Sequence, residues 1–426
     1  MNPIDKESAL SYHRLGGVPG KLVIHPSKPI ENQHHLGLAY TPGVAYPVLE
    51  IARDPELAYE YTTKGNLVAV ISNGTAVLGL GNRGALASKP VMEGKAALFK
   101  KFADIDSIDI EIDSLEPETV ISVCAAIGNS FGGINLEDIR SPECFSIEEQ
   151  LKTMLKIPVF HDDQHGTAII LGAALINALE ITSKSLTEVK VVFSGAGAAA
   201  LASASHLMKM GIPREHIWMC DIAGLVYRGR VEEMFAEKEV FAQGDKPASL
   251  AEVIEGADVF IGLSAANIVT PEMLRRMRAQ PVIFTMANPD PEISYELAQQ
   301  ARPDALLGTG RSDYPNQVNN LLCFPFLFRG ALDVRATTIN DEMKVAASQA
   351  LAALAHEEVP AEVLKAYGLK RLEFGKDYVL PKPLDRRVCL WEAPAVAQAA
   401  MRSGAARLSL DLNAYQKALA ERLYHP

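Results

Sequence analysis

The residues best suited to chemistry are two acidic doublets in apolar settings. Glu137-Asp138 lies within Gly132-Gly133-Ile134-Asn135-Leu136-Glu137-Asp138-Ile139, and Asp162-Asp163 within Pro158-Val159-Phe160-His161-Asp162-Asp163-Gln164-His165-Gly166-Thr167. Carboxylates beside strand-like apolar residues are costly unless something compensates their charge. A hard divalent cation does so, and oxygen-only ligation suits Mg2+ or Mn2+. N-capping is the competing reading, with Asp162 or Asp163 capping a helix that begins near Gly166. On the residues alone the two readings are balanced. His161 and His165 stand at i and i+4, but no third nitrogen or sulfur partner accompanies them, which argues against zinc.

Lys95, in Met92-Glu93-Gly94-Lys95-Ala96-Ala97-Leu98-Phe99, sits on an otherwise apolar helical stretch. A lysine out of water and near a cation has its neutral form favoured and can serve as a general base. The competing reading is a lysine that snorkels to the surface. Tyr40, in Ala39-Tyr40-Thr41-Pro42-Gly43, precedes a turn and by itself reads as a packing aromatic.

Two glycine loops compete for a dinucleotide. Gly79-Leu80-Gly81-Asn82-Arg83-Gly84 follows a strand expected over Ala76–Leu78, and Gly195-Ala196-Gly197-Ala198-Ala199-Ala200 follows one expected over Val189–Phe193. Pyrophosphate needs a helix that starts inside the loop and presents free N–H groups. Pro90 opposes an unbroken helix from the first loop. The second runs without a breaker through Ala198–Met210 to Gly211, a natural stop. The next strand, His216–Cys220, ends in Asp221, well placed for a ribose hydroxyl. The sequence therefore assigns Gly195, Gly197, Ala198, Ala200 and Asp221 to the dinucleotide. The Gly79 loop is left as a tight turn or a wall near substrate. An acid at Asp221 ordinarily favours NAD. Arg228, Arg230 and Lys238 would neutralise a 2′-phosphate, or are simply three solvated surface cations.

The elements that must position these groups are partly visible. Residues 1–65 are loop-rich, with prolines at 3, 19, 26, 29, 42, 47 and 55. A strand over Leu67–Ile71, a helix over Met92–Phe102 and a half-buried strand alternating from Ser107 follow. Gly166 to Ile181 reads as a buried helix leading into a second unit. That unit has strands at Val189–Phe193, His216–Cys220, Asp258–Gly262, Pro281–Met286 and Ala305–Leu307. Ser249 with Glu252 predicts a capping box, and Thr270-Pro271 a helix start. Strand and helix in alternation imply an α/β fold, a Rossmann-like doubly wound parallel sheet. Before it stands an N-terminal α/β domain, and after about Ala331 a mostly helical return. The expected boundaries are 1–162, 163–381 and 382–426.

Composition excludes several classes. The chain has 426 residues, 41 Lys+Arg against 52 Asp+Glu, and a formal charge of −11. That is no footprint for nucleic acid, nor for an anionic membrane surface. The longest uncharged apolar stretch, Gly166 to Leu179, is too short to span a bilayer. The start, Met1 to Glu7, has no apolar leader pattern. Cys124, Cys144, Cys220, Cys323 and Cys389 are odd in number and form no CxxC, which fits a reducing compartment. A cytoplasmic protein is expected.

Together these segments resemble the malic enzymes. The resemblance also takes in Ala287-Asn288-Pro289, Gly310-Arg311-Ser312-Asp313-Tyr314-Pro315-Asn316-Gln317-Val318-Asn319-Asn320 and Phe324-Pro325, and covers roughly residues 10–400 in order. It looks closest to the malic-enzyme half of bacterial hybrid proteins that carry a phosphotransacetylase domain. What it implies is oxidative decarboxylation of (S)-malate to pyruvate and CO2, with NADP (or NAD) and Mg2+ or Mn2+. The family's metal ligands fall on Glu137, Asp138 and Asp163, and its general base on Lys95, with Asp162 assisting. Tyr40 takes the position of the acid that protonates the enolate carbon. Asn288 and Asn320 match amides that hold the substrate carboxylate and border the nicotinamide. A homodimer or higher oligomer is implied. Two departures stand out: Ala76 where large-subunit members have arginine, and Arg83 where an apolar residue is expected. The alternatives are a 2-hydroxyacid dehydrogenase that stops at the keto acid, and a catalytically silent regulatory homologue.

Overall fold

The computed structural model describes residues 5–17 and 19–424, so the first four residues of the leader reading lie outside the described residues. Two parallel sheets carry the fold. The first contains β1 (Leu67–Ser72), β2 (Asp106–Glu111), β3 (Gly133–Leu136) and β4 (Val159–His161), in the order β2-β1-β3-β4. The second contains β5 (Val191–Ser194), β6 (Ile217–Asp221), β7 (Gly224–Leu225), β8 (Val259–Gly262), β9 (Val282–Thr285) and β10 (Leu306–Thr309), ordered β10-β9-β8-β5-β6-β7. Among these strands only the β6–β7 pair is antiparallel.

This is the α/β architecture read from the sequence. β1, β5, β8 and β9 are near-continuous Val/Ile/Phe runs because helices cover both of their faces. Strand order reverses between β1 and β3 in the first sheet, and between β5 and β8 in the second. Open α/β sheets bind ligands outside the carboxyl ends of strands flanking such points. One continuous core joins the halves, from Val70 and Phe99 through Ile170 and Phe193 to Val388 and Val396. The helix Arg387–Arg402 thus packs into the main body.

Local signals mostly hold. The helix Ala198–Met210 ends at Gly211, whose φ of +116° suits glycine. Ser249 and Glu252 form the capping box, and Thr270 caps a helix with Pro271 in its first turn. Two expectations fail. The segment Ala76–Leu78 is no strand: Val77–Gly79 forms a tight turn, because the Asp138 carbonyl and carboxylate accept from Ala76 N–H and Leu78 N–H. Nor does Pro90 break a helix, since Ala85–Ala103 is continuous through it. The proline withdraws one N–H from the carbonyl of Leu86, whose side chain is 84% exposed, so that this face of the turn lies toward water. β3, β4 and β7 went unread as strands. β2 alternates less cleanly than expected: Ile108 is exposed, as befits an edge strand. Among the described residues, no helix is long and apolar enough to cross a membrane.

Candidate metal and coenzyme site

The acidic doublets meet because two neighbouring parallel strands end side by side. β3 runs into Glu137-Asp138 and β4 into Asp162-Asp163, with Leu136 opposite His161 in register. One carboxylate oxygen each from Glu137, Asp138 and Asp163 lies within 4.8 Å of the others. The capping reading of the second doublet fails. The helix is Asp162–Ile181, its cap position is His161, and both aspartates stand in its first turn without a side-chain cap bond. Asp163 Oδ2 instead accepts from Asp138 N–H at 2.7 Å. The missing Cβ of Gly166 makes room for Asp162, whose Oδ1 would otherwise lie 2.0 Å away.

The chemistry of these acids calls for a cation. Burial, with Asp163, Asp162 and Asp138 facing it, pushes Glu137 well above the ordinary carboxyl range against the pull of Lys95. Burial and Asp163 push Asp138 up to about 7. Burial acts on Asp163 likewise, but His161, with Nε2 at 3.0 Å from Oδ2, outweighs it and holds Asp163 low. Asp138 Oδ2 and Asp162 Oδ1 are buried without a hydrogen-bond partner. Mutually repelling, half-satisfied carboxylates with only oxygen donors fit a hard divalent ion.

Lys95 lies beside the cluster. It does not snorkel: its side chain is 10% exposed, with Nζ 2.6 Å from Asp162 Oδ2 and 2.9 Å from Glu137 Oε1. The Phe324 ring lies 4.0 Å beneath the ammonium. Its neutral form is not favoured here. Burial works against the charge, but Asp162 and Glu137 outweigh it and hold the lysine above its ordinary range. Asn320 joins the group, its Nδ2 donating to Asp162 Oδ2 at 3.1 Å while its Oδ1 accepts from the Thr167 hydroxyl.

The Gly195 loop leaves β5 at the reversal point of the second sheet. Gly195 has φ +114°, and a Cβ there would meet Leu263 O at 2.3 Å. Gly197 is the cap residue of the helix beginning at Ala198, leaving its first N–H groups for an anion. Ala200 is fully buried against the sheet. Asp221 terminates β6 but is not free. Its oxygens accept from Arg230 Nη1 at 2.8 Å, from Arg230 Nη2, from Lys238 Nζ at 2.8 Å and from Ala223 N–H at 2.9 Å. Arg230 and Lys238 are therefore buried counter-ions, and only Arg228 is an exposed cation.

A chain of contacts puts crevice and acids on one side. Ser194 Oγ meets Ser264 Oγ at 2.9 Å, and Glu292 accepts from Ser264 N–H and Ala287 N–H. Asn288 follows, and its carbonyl would lie 3.0 Å from a Cβ on Gly79. The Gly79 turn in turn touches Asp138 through Leu78 N–H. The wall reading of that turn fits this contact. Tyr40 is not brought in: it is 71% exposed at the end of the helix Gln33–Ala39. Arg83 is exposed, its backbone N–H donating to Gly74 O.

Residues 164–367 match the malic enzyme NAD-binding domain, and residues 19–118 match the malic enzyme N-terminal domain. The "NADP-dependent malic enzyme" of Salmonella typhimurium is 56% identical over 98% of this chain and 55% of its own length. The chain belongs to the malic enzyme family. A "NAD-dependent malic enzyme" of Rhizobium meliloti is equally similar, at 56% over 96% of this chain and 53% of its own. The solved malic enzyme of Pyrococcus horikoshii superposes with a TM-score of 0.90 at 41% identity, covering 98% and 96% of the two chains. The chain spans about half the length of the curated relatives it matches.

The sequence reading missed several supports of this malic enzyme site. Asn135 Nδ2 donates to Glu137 Oε2 at 2.8 Å. Glu148 accepts from His161 N–H and from Lys152, and lies 2.9 Å from His165 Nε2. Glu292 ties two crevice loops. Asn135 was visible as a polar residue amid an apolar run; Glu292, in a polar proline-rich loop, and Glu148, on an amphipathic helix, gave no signal.

Proposed function

We propose that the chain catalyses oxidative decarboxylation of (S)-malate to pyruvate and CO2 with reduction of NADP+, using Mg2+ or Mn2+. The observation that carries the reading is the three-carboxylate cluster, with Lys95 and Asn320 beside it and a dinucleotide loop on the same side of the molecule. Glu137, Asp138 and Asp163 would hold the cation, which supplies Lewis-acid stabilisation of negative charge on the substrate C2 oxygen. A dehydrogenase that stops at the keto acid has no need of such a set.

Lys95 is the group placed to take the C2 hydroxyl proton as hydride leaves for the nicotinamide. With a divalent ion held by Glu137, Asp138 and Asp163, the negative field that keeps its proton on would be offset. Asp162 fixes the amine and passes its orientation to Asn320. Asn320 and Asn288 hold the substrate carboxylate and border the nicotinamide. Tyr40 protonates the enolate carbon. Its exposure, and the exposed Leu36, Leu38, Tyr46, Val48 and Leu49 around it, support a homodimer in which this segment meets a second copy.

NADP rather than NAD is favoured because the charge of Asp221 is exceeded by two buried cations, leaving no net repulsion for a 2′-phosphate. The boundaries 1–162, 163–381 and 382–426 and a cytoplasmic setting belong to the same proposal, the latter supported by five free buried cysteines. So does kinship with the malic-enzyme half of hybrid chains, supported by the half-length match. Malate turnover assayed for pyruvate, with and without chelator, tests the reading.

A further inference from the structure

We infer that a cation-lined pocket beside Tyr59 is a second binding site, for a small phosphate-type dianion, remote from the acidic cluster. The pocket holds about 330 Å3 and is lined by Thr62, Thr63, Asn66, Arg329, Arg335 and Arg422, among others. It opens at the start of β1, whereas the acidic cluster follows the ends of β3 and β4. The length of β1, about 20 Å, separates the two.

The charges here are unbalanced. Three cations gather on one ring: Arg335 at 4.6 Å, Lys64 at 5.2 Å and Arg407 at 6.0 Å from the Tyr59 centroid. Arg329 is satisfied by Asp333, and Arg422 by Asp104. Glu56 alone faces Arg335 and Arg407, at 3.8 and 3.5 Å, too long for good hydrogen bonds. With Asp106, which accepts from Asn66, and Lys100, which bridges Asp104 and Asp106, six cations thus stand against four carboxylates among the described residues, in a chain whose formal charge is −11. Burial, with the neighbouring Arg407, holds the Lys64 ammonium below the ordinary lysine range against the pull of Glu56.

The donors suit an oxyanion. Arg407 is fixed by the Tyr59 hydroxyl at 3.1 Å and the Lys156 carbonyl at 2.6 Å. Lys64 is fixed by the carbonyls of Asn129 and Phe131. Among the described residues the Arg335 guanidinium makes no hydrogen bond, so its planar fork is available for bidentate contact with phosphate. The Thr63 hydroxyl on the wall adds a neutral donor, whereas that of Thr62 is committed to the Ala58 carbonyl.

Titration calorimetry on the protein saturated with Mg2+ and NADP+, so that the coenzyme loop is filled, tests this with inorganic phosphate and glycerol 3-phosphate as probes. Either probe should bind, and the tighter one identifies free phosphate or a phosphomonoester as the class. Arg335→Gln should weaken binding about tenfold. Glu56→Gln, at an exposed acid where folding is not at stake, should tighten it about threefold. No binding of either probe to the wild type would overturn the assignment. Binding that ignores both substitutions would overturn it equally.

Discussion

Lys95 and Asp162 reach each other from helices that begin 77 residues apart in the chain, and their 2.6 Å contact is buried on both sides. A charged pair in this position is strong only because Glu137 and Asn320 complete it. Replacing Lys95 leaves both Asp162 and Glu137 buried without their cation, a change that costs about 3–5 kcal/mol.

Lys95→Ala should therefore remove malate oxidation, with kcat down about 10²- to 10⁴-fold, the range of a lost general base. Initial-rate kinetics on a variant shown folded by circular dichroism checks this. Wild-type turnover would dismiss Lys95 as the base.

Chelation should stop turnover, and added Mg2+ or Mn2+ should restore it. Asp163→Asn and Glu137→Gln should each weaken Mn2+ binding, followed by the electron spin resonance of free ion, by at least about tenfold. Retained affinity in both variants would mean that the cluster does not hold the ion.

Asp138 gives a pH signature. Its folded pKa, about 7, lies above the ordinary value of 3.8 for an aspartate. Between those values the folded chain keeps a proton that the unfolded chain has shed. Stability of the metal-free protein should thus fall as pH rises through this window, by at most ~1.4 kcal/mol per pH unit. Glu137 and Asp162, also raised, act in the same direction. Denaturant titrations should show a shallower slope in Asp138→Asn, and excess Mg2+ should reverse it at high pH. A wild-type slope of the opposite sign would contradict the burial of these acids.

Tyr40→Phe should spare oxidation of malate to oxaloacetate more than protonation of enolpyruvate. Because Tyr40 is exposed in the single chain, mixed dimers of Tyr40→Phe and Lys95→Ala chains should recover part of the lost activity. Recovery is expected only if the tyrosine serves the neighbour's site; its absence would place Tyr40 and Lys95 in one chain's site.

Lys238→Met should lower the ratio of kcat/KM for NADP+ over NAD+ about tenfold, since it removes one of the two charges that outweigh Asp221. An unchanged ratio would make Lys238 a structural counter-ion only.

Much of this site was legible because its signals are local. The Gly195 loop, its helix and the Gly211 stop lie within one supersecondary unit, and the acidic doublets stand out against apolar neighbours. What was not legible depends on pairing across the chain. Whether Asp162 caps a helix or faces Lys95 is decided by the register of β3 with β4, and neither strand was read. The proton on Lys95 is decided by Asp162 and Glu137, which lie 67 and 42 residues away. Arg230 and Lys238 looked like surface cations because the turn that folds them onto Asp221 has no distinctive pattern. The start of the helix before Met92 was missed because the proline penalty of about 3 kcal/mol at Pro90 is offset here by tertiary packing.

The most direct test is a stoichiometric assay of products: purified chain, (S)-malate, NADP+ and Mg2+, with NADPH, pyruvate and oxaloacetate measured together. One pyruvate should appear for each NADPH, and both should vanish in chelator. NADPH accompanied by free oxaloacetate, or turnover that ignores the chelator, would contradict the account.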